Sequence, residues 1–158
     1  MTDPSNARPL DGKVALVTGA GRGIGAAVTR ALVAAGARVA MVSRTESDLR
    51  DLADQLAAGE RIAVLPGDVA DATSVDEVFS AAEAQLGALD ILVNNAGIPT
   101  RRPFEVADYP LEDYDRITGV NLRGAFLCAR AALRRMRERR AGTIIRQGAA
   151  AYPMGGGY

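Results

Sequence analysis

The chain has 158 residues, 48% of them hydrophobic and 24% charged, and its nineteen basic residues balance nineteen acidic ones. A chain of this length and composition can form one domain with a substantial core. The charge balance argues against nucleic-acid binding, and the lack of a long apolar run argues against a transmembrane helix. Histidine is absent, so we expect no metal site. The single cysteine, Cys128, excludes an internal disulfide and favours the reducing cytoplasm.

Five short apolar runs alternate along the chain with longer segments of helical spacing. The runs are continuously apolar, which is typical of parallel strands covered by helices on both faces. They lie at Val14–Val17, Val39–Val42, Ile62–Leu65, Ile91–Val93 and Thr143–Ile145. The alternation predicts βαβ units with right-handed crossovers, and therefore an α/β fold with a doubly wound parallel sheet between two layers of helices.

The first three helical segments each place apolar side chains on one face of a helix with 3.6 residues per turn. The three stripes are Ile24, Val28, Leu32 and Ala35; then Leu49, Leu52 and Leu56; then Val75, Val78, Phe79, Ala82 and Leu86. Gly36 and Gly59 follow the first two stripes, where we expect them to end the helices. Asp71 and Thr73 offer side-chain oxygens that cap the start of the third helix.

The fourth connection differs from the others, because a loop over Gly97–Pro110 precedes a long helix from about Leu111 to Arg139. Several arginines lie near the end of this helix. We interpret them as solvated cations that interact favourably with the negative end of the helix dipole. They are Arg134, Arg135, Arg137, Arg139 and Arg140. Cys128 lies among Ala and Leu in the same helix and is predicted to be a packed thiol rather than a nucleophile. After Ile145 the sequence has no strand or helix pattern, so we expect the sheet to stop at about the fifth strand.

A glycine-rich turn, TGAGRGIG over residues 18–25, joins the first strand to the first helix. A helix N-terminus carries unpaired N–H groups and a partial positive charge, so it is a suitable site for a pyrophosphate. Glycines allow the backbone to approach the phosphate closely. A single glycine here would indicate an ordinary turn, but four within residues 19–25 favour a phosphate-binding loop.

The glycine spacing is Gly19-x-x-x-Gly23-x-Gly25, with Ile24 in place of the last glycine of the general dinucleotide motif. In this spacing the sequence resembles the short-chain dehydrogenase/reductase family. Other segments that resemble family signatures follow in family order. They are Asp68-Val69 after the third strand, Asn94-Asn95-Ala96-Gly97 after the fourth, and Asn121 within the long helix.

The resemblance implies a Rossmann-type dinucleotide-binding domain over residues 10–158, incomplete at its C-terminal end and preceded by a flexible extension at residues 1–9. It also implies which residues hold the coenzyme and identifies Asn121 as a member of the family's catalytic tetrad. The coenzyme-binding residues implied by the resemblance are Gly19, Gly21, Arg22, Gly23, Ile24, Gly25, Asp68, Val69, Asn95, Ala96 and Gly97.

The residues after the second strand indicate which coenzyme is preferred. NAD binders place a carboxylate there to accept hydrogen bonds from the ribose 2′-OH. This chain has Ser43-Arg44, with no acid before Glu46. A guanidinium can hold a 2′-phosphate in two hydrogen bonds, and Arg22 in the glycine turn adds a second cation. We therefore predict that Ser43 and Arg44 contact NADP(H), with NAD(H) as the alternative coenzyme and solvated loop arginines as the alternative interpretation.

The catalytic residues of the family are mostly missing from this sequence. The resemblance implies a Tyr-x-x-x-Lys pair and a serine, in which the lysine lowers the pKa of the tyrosine phenol. The only lysine is Lys13, and the serine position is occupied by Ala149 or Gly148. Of the four residues, only Asn121 is present. We therefore expect that the chain ends before the tyrosine and lysine, and that it is inactive by itself.

The function implied by the resemblance is hydride transfer that interconverts an alcohol and a ketone or aldehyde. Arg101-Arg102-Pro103-Phe104 resembles members that act on sugar acids, so a small polar carbonyl is the expected substrate class. The alternatives are an inactive NADP-binding module and a truncated or frame-shifted fragment. We expect a small-molecule substrate, no nucleic acid and no membrane. The resemblance implies a homo-oligomer for the full-length family, and the state of this chain stays open.

Overall fold

A parallel sheet forms the middle layer of the protein. The computed structural model describes residues 8–100 and 105–148, and within them the five predicted strands are all present. They are β1 (Val14–Thr18), β2 (Arg38–Ser43), β3 (Ile62–Pro66), β4 (Ile91–Asn94) and β5 (Thr143–Arg146). All pairings are parallel, and the strand order is β3-β2-β1-β4-β5. This order confirms the predicted doubly wound sheet.

Helices cover both faces of the sheet, which confirms the three-layer arrangement. They are α1 (Gly23–Ala34), α2 (Glu46–Leu56), α3 (Ala72–Leu86), α4 (Leu111–Thr118) and α5 (Ala125–Arg139), with short 3₁₀ turns at Gly59–Arg61 and Val106–Asp108. Helices α1 and α2 pack on one face, whereas α3 and α5 pack on the other.

Strand β1 supplies side chains to both hydrophobic cores, and this explains its continuously apolar sequence. Val14 and Leu16 belong to the core beneath α3 and α5, whereas Ala15 and Val17 belong to the core beneath α1 and α2. All four side chains are almost completely buried. Burial of a Val or Leu side chain stabilises a fold by roughly 1.5–3 kcal/mol, so β1 contributes to both faces at once.

The predicted stripe of α1 is partly wrong. The residues of α1 that are buried are Gly25, Ala26, Thr29 and Val33. Ile24 remains 59% exposed, and Ala35 lies beyond the last turn as the C-cap. Small residues let α1 lie close to the sheet, so the helix buries its small side chains and leaves the larger Ile24 outside.

The helix ends agree with the sequence in two cases and correct it in one. Gly36 follows α1 with a positive φ, and the Asp71 carboxylate caps α3 by accepting a hydrogen bond from Ser74 N at 2.7 Å. The α3 stripe is buried as predicted. Gly59, however, does not end α2: Ala57 adopts the left-handed conformation there, and Gly59 begins the following 3₁₀ turn.

The long fourth helix is interrupted by a wider turn. Between α4 and α5 the backbone of Gly119–Gly124 forms a π-helical segment, which the periodicity of the sequence did not predict. The side-chain Nδ2 of Asn94, at the end of β4, donates a hydrogen bond to the backbone carbonyl of Ala125 at 2.7 Å. The π segment therefore lies directly over the end of β4, and such segments are frequent at functional sites.

Two of the arginines near the end of α5 are ion-paired instead of merely solvated. Arg135 contacts Glu83 at 2.8 Å and lies over the ring of Phe79, while Arg139 lies 3.6 Å from Asp90. These contacts attach α5 to α3 and to the start of β4. Cys128 is buried in the same helix, and this burial raises the pKa of its thiol to about 12. The prediction of a packed, unreactive thiol is consistent with this environment.

Strand β5 is exposed, unlike the four strands before it. Thr143, Ile145 and Arg146 are all exposed, and only Ile144 is partly buried against the core. Among the described residues β5 is an edge strand of the sheet, which agrees with the expectation that the sheet stops at about the fifth strand. In that same part of the chain, no helix combines the length and apolar character needed to cross a membrane.

Candidate functional site

A cleft opens where the strands end, beside the point at which the chain reverses its direction across the sheet. Strands β1 and β4 are neighbours, but the helices that follow them turn to opposite faces. Ligands of doubly wound folds bind in the crevice that such a reversal leaves at the carboxyl ends of the strands. The cleft has a volume of about 320 Å³.

The glycine turn forms one wall of the cleft, and Gly25 shows why it needs glycine. A Cβ atom at Gly25 would lie 2.0 Å from the carbonyl oxygen of Gly19 and 2.7 Å from Nδ2 of Asn95. No side chain fits in that space, so the first turn of α1 packs directly on the preceding loop. The first turn of α1 has no acidic residue and no side-chain cap, which leaves its N-terminal N–H groups available to an anion.

The buried hydroxyl of Thr18 joins the ends of β1 and β4. It accepts hydrogen bonds from the backbone N–H groups of Asn95 and Ala96, both at 3.0 Å, and lies 3.5 Å from the carbonyl oxygen of Val93. The Asn95 side chain also bonds to the end of β1: its Nδ2 donates hydrogen bonds to the carbonyls of Thr18 at 3.0 Å and Gly19 at 3.2 Å. The two loops that line the cleft are thus held together by five hydrogen bonds and contacts.

The end of β2 places charged side chains at one end of the cleft. Ser43 Oγ accepts a hydrogen bond from Thr45 N at 3.1 Å, which fixes the turn that carries Arg44 outward. Arg22 and Arg44 both line the cleft and are exposed. Asp48, in the first turn of α2, lines the same end of the cleft.

The loop after β3 is fixed by local hydrogen bonds of Asp68. Its backbone N–H donates to Ser74 Oγ, and its carboxylate accepts from Ala70 N, each at 2.9 Å. These bonds hold Asp68 and Val69 on the wall of the cleft, where the sequence pattern predicts a coenzyme contact. The other oxygen of the Asp68 carboxylate faces no described hydrogen-bond donor.

Asn121 supports the far wall of the cleft from the π segment. Its Oδ1 accepts a hydrogen bond from Ile98 N at 2.8 Å, and its Nδ2 donates to the carbonyl of Ile98 at 2.9 Å. Its amide therefore pairs with one backbone unit of the loop after β4. The carbonyl of Asn121 lies 3.4 Å from an Nη atom of Arg146, so the end of β5 also reaches this point.

Nearly all of the predicted coenzyme-binding residues meet around this one cleft. The predicted residues that line it are Gly19, Gly21, Arg22, Ile24, Gly25, Ser43, Arg44, Asp68, Val69, Asn95, Ala96 and Gly97. Gly23 does not line it and instead begins α1 with a positive φ. Asn121 lies behind the lining residue Ile98.

Five lining residues were missed by the sequence reasoning: Thr45, Asp48, Gly67, Ile98 and Val120. Two had a usable signal, since Gly67 precedes Asp68 and Ile98 follows Gly97 directly. Thr45, Asp48 and Val120 belong to helix starts or to the π segment, whose orientation toward the cleft depends on tertiary packing. Of the positions considered for the serine, Gly148 is described and has no side chain, while Ala149 lies outside the described residues, as does the Arg101–Phe104 run.

Comparison with known proteins agrees with this geometry. Residues 13–156 match the family model described as short chain dehydrogenase. Over 138 residues the chain is 45% identical to D-threitol dehydrogenase of Mycolicibacterium smegmatis, and the aligned region covers 86% of this chain and 52% of that protein. It is 36% identical over 144 residues to 2,3-dihydro-2,3-dihydroxybenzoate dehydrogenase of Bacillus subtilis, and this aligned region covers 90% of this chain and 54% of that protein.

A solved structure shows the same architecture. The 3-ketoacyl-(acyl-carrier-protein) reductase from Brucella melitensis, complexed with NADH, is 34% identical and superposes with a TM-score of 0.81, covering 87% of this chain and 57% of that one. The chain thus spans about half the length of the relatives it matches. The shared half contains the cleft described above.

The hydroxyl of Thr18 is predicted to be essential for the stability of the cleft. In Thr18→Val the backbone N–H of Ala96 loses its hydrogen-bond acceptor inside the protein, and the hydrogen bonding of the Asn95 N–H is weakened. The free energy of unfolding should therefore fall by about 2 kcal/mol. Urea denaturation measures this loss. Thr29→Val is the matched control, because Thr29 is equally buried but its hydroxyl only donates to the carbonyl of Gly25 within the same helix. An equal loss in both variants would contradict the assignment.

Proposed function

Because this chain belongs to the short-chain dehydrogenase family, whose members are NAD(P)-dependent oxidoreductases, we propose that its cleft binds NADP(H) in preference to NAD(H). The observation that carries the proposal is the pair of arginines, Arg22 and Arg44, at the cleft end that follows β2. No other described residue neutralises either guanidinium, since neither makes a hydrogen bond or an ion pair within residues 8–100 and 105–148. Two unpaired cations beside a helix N-terminus suit a ligand with phosphates at two positions.

The residues of the cleft fit such a coenzyme. The start of α1, where Gly25 leaves no room for a side chain, would hold the pyrophosphate. Arg22 and Arg44 would hold the 2′-phosphate, Asp68 and Val69 the adenine, and the loop Asn95–Gly97 the part nearer the nicotinamide. When bound, the nicotinamide ring would supply the hydride that is exchanged with the substrate carbon.

The proposed reaction is the interconversion of an alcohol and a carbonyl on a small polar substrate, carried out by a complete protein of which these residues form the coenzyme half. The similarity to D-threitol dehydrogenase supports a hydroxyl-rich substrate. Within this reaction Asn121 acts as a positioning residue: it holds Ile98, which lines the cleft, and presents its own carbonyl toward Arg146. The single, buried cysteine supports a cytoplasmic location.

A second candidate function is coenzyme binding without chemistry. It is favoured by these 158 residues, in which Lys13 is the only lysine and no tyrosine has a lysine four positions later. Lys13 lies beside Asp90 at the opposite end of β1 from the cleft. The two candidates share the coenzyme site and differ in turnover.

The protein is also proposed to form a homodimer through the helix α4–α5. Large apolar side chains remain exposed along one face of α4, the π segment and α5: Leu111, Tyr114, Leu122, Phe126 and Leu133. Acidic residues flank the first half of this stripe, for example Glu112 and Asp115, and Arg130, Arg134 and Arg137 flank the second half. A second copy related by a two-fold axis, with its helix antiparallel, would cover the stripe and place the acidic half of one helix against the basic half of the other.

Substitution of Arg44 tests the proposed coenzyme preference. Arg44→Asp removes a guanidinium and adds a carboxylate, so the ratio of NADPH to NADH affinity should fall by about tenfold or more. Isothermal titration calorimetry with each coenzyme measures the ratio. Arg50→Asp, the same charge change on the exposed side of α2, should leave it within about twofold because screening weakens distant charges. An unchanged ratio in Arg44→Asp would remove the preference for NADP(H).

A turnover assay tests whether the residues of this chain suffice for the reaction. The 158-residue polypeptide, given NADPH and small hydroxy-ketones or aldehydes, should show no loss of NADPH absorbance above the blank. The physical reason is that a phenol with an unperturbed pKa of about 10 transfers protons poorly near neutrality without a neighbouring ammonium. A full-length relative is the positive control. Measurable turnover by the polypeptide alone would show that its own residues complete the catalytic site.

The dimer is tested on the apolar stripe. Phe126→Glu places a charge in the middle of the stripe and should convert the dimer to a monomer, as measured by analytical ultracentrifugation at equal concentration. Val106→Glu is the control, because Val106 is 92% exposed but lies in a 3₁₀ turn away from the stripe. A monomeric unmodified chain, or a dimer that persists in Phe126→Glu, would contradict this interface.

A further inference from the structure

Three charged side chains converge at the cleft end that follows β2, and they do not have the same sign. Arg22 and Arg44 are cations, whereas Asp48 is an anion. Within the described part of the chain, none of the three makes a hydrogen bond or an ion pair with another residue. The carboxylate of Asp48 is therefore available to whatever occupies this end of the cleft, together with the two guanidinium groups.

The position of Asp48 is fixed by the backbone. It lies in the first turn of α2, and a Cβ atom at Gly21 would come within 2.8 Å of the Cβ of Asp48. The absence of a side chain at Gly21 is what allows α2 to approach the glycine turn so closely. Arg22 and Arg44 extend from exposed loop positions on long side chains, but Asp48 is half-buried and has a short one. The two cations can move away from a ligand, whereas the carboxylate stays beside the cleft.

Asp48 supplies the chemical group that the end of β2 lacks. NAD binders place a carboxylate at the end of the second strand to accept a hydrogen bond from the ribose 2′-OH. In this chain that position is Ser43, which has no carboxylate. Asp48, five residues later in α2, lines the same cleft and has one. Resting on the proposed function of this cleft, we infer that Asp48 is a specificity-determining residue, which retains affinity for NAD(H) and limits the preference for NADP(H).

Each coenzyme then has its own partner at one site. A free 2′-OH donates to the Asp48 carboxylate and needs neither arginine. A 2′-phosphate is attracted by Arg22 and Arg44 but repelled by Asp48, since like charges in a partly desolvated cleft disfavour each other. The chain therefore uses both coenzymes, and the ratio between them depends on the balance of two cations and one anion. Asp48 also lies at the positive end of the α2 dipole, a role that affects stability but not the ratio.

Calorimetric titration of the 158-residue chain with NADPH and NADH tests this inference. Asp48→Asn keeps the Cβ against Gly21 and removes the charge. We expect NADPH to bind about fivefold more tightly and NADH about threefold more weakly, because repulsion is lost in one case and a charged acceptor in the other. The gain for NADPH should shrink at high salt. The matched control is Asp51→Asn, one turn along α2, which lines a neighbouring cavity but not this cleft.

The outcomes separate the inference from the proposed function. If the unmodified chain binds a coenzyme and Asp48→Asn leaves the NADPH to NADH ratio where Asp51→Asn leaves it, the inference is overturned and the coenzyme site stands. If the unmodified chain binds neither coenzyme at millimolar concentration while circular dichroism shows it folded, both fail. Asp48→Ser, which also retains Cβ, provides the same comparison should Asp48→Asn lose its fold. A changed melting temperature with a constant ratio assigns Asp48 to helix stability alone and overturns the inference.

Discussion

The cleft depends on the connection between Thr18 and Asn95. A doubly wound sheet brings the ends of β1 and β4 side by side, but parallel pairing stops at the last strand residues and leaves the following loops without a ladder. The Thr18 hydroxyl and the Asn95 amide replace that ladder with hydrogen bonds that cross between the loops. Thr18 is fully buried, so these bonds are shielded from water. The glycine turn and the loop after β4 are therefore held as one rigid unit.

The rigid part of the cleft and its selective part consist of different kinds of groups. Backbone amides, Thr18 and Asn95 form the wall near the start of α1. Any change there disturbs packing, since a Cβ atom added at Gly25 would lie only 2.0 Å from the carbonyl oxygen of Gly19. The charges at the other end belong to the exposed side chains of Arg22 and Arg44 and to the half-buried Asp48, and Arg44 contributes nothing to the core. In the proposed coenzyme site, the choice of coenzyme can therefore change by substitution of these charges, while the wall near the start of α1 and the fold stay the same.

The sequence predicted the sheet, its strands and most of the cleft, because these depend on local patterns. Continuous apolar runs identify buried parallel strands, and the glycine turn places a helix N-terminus after β1. The errors arose where tertiary packing overrides periodicity. Ile24 belongs to the apolar stripe of α1 by spacing, yet the close approach of Gly25 turns Ile24 outward to the cleft. The π segment and the orientation of Asp48 toward the cleft depend on contacts with Asn94 and Gly21, which no single-sequence pattern shows.

The π segment links the cleft to the proposed dimer face. Its inner side carries Asn121, whose amide holds Ile98 at the edge of the cleft, and its outer side carries Leu122 within the exposed apolar stripe. Adjacent residues of one wide turn thus lie toward the cleft and toward the proposed dimer partner. The hydrogen bonds between Asn121 and Ile98 connect this turn to the cleft edge, so a partner that covers Leu122 and Phe126 would restrain the same turn. Association through this face would therefore order the site without any residue of the partner entering it.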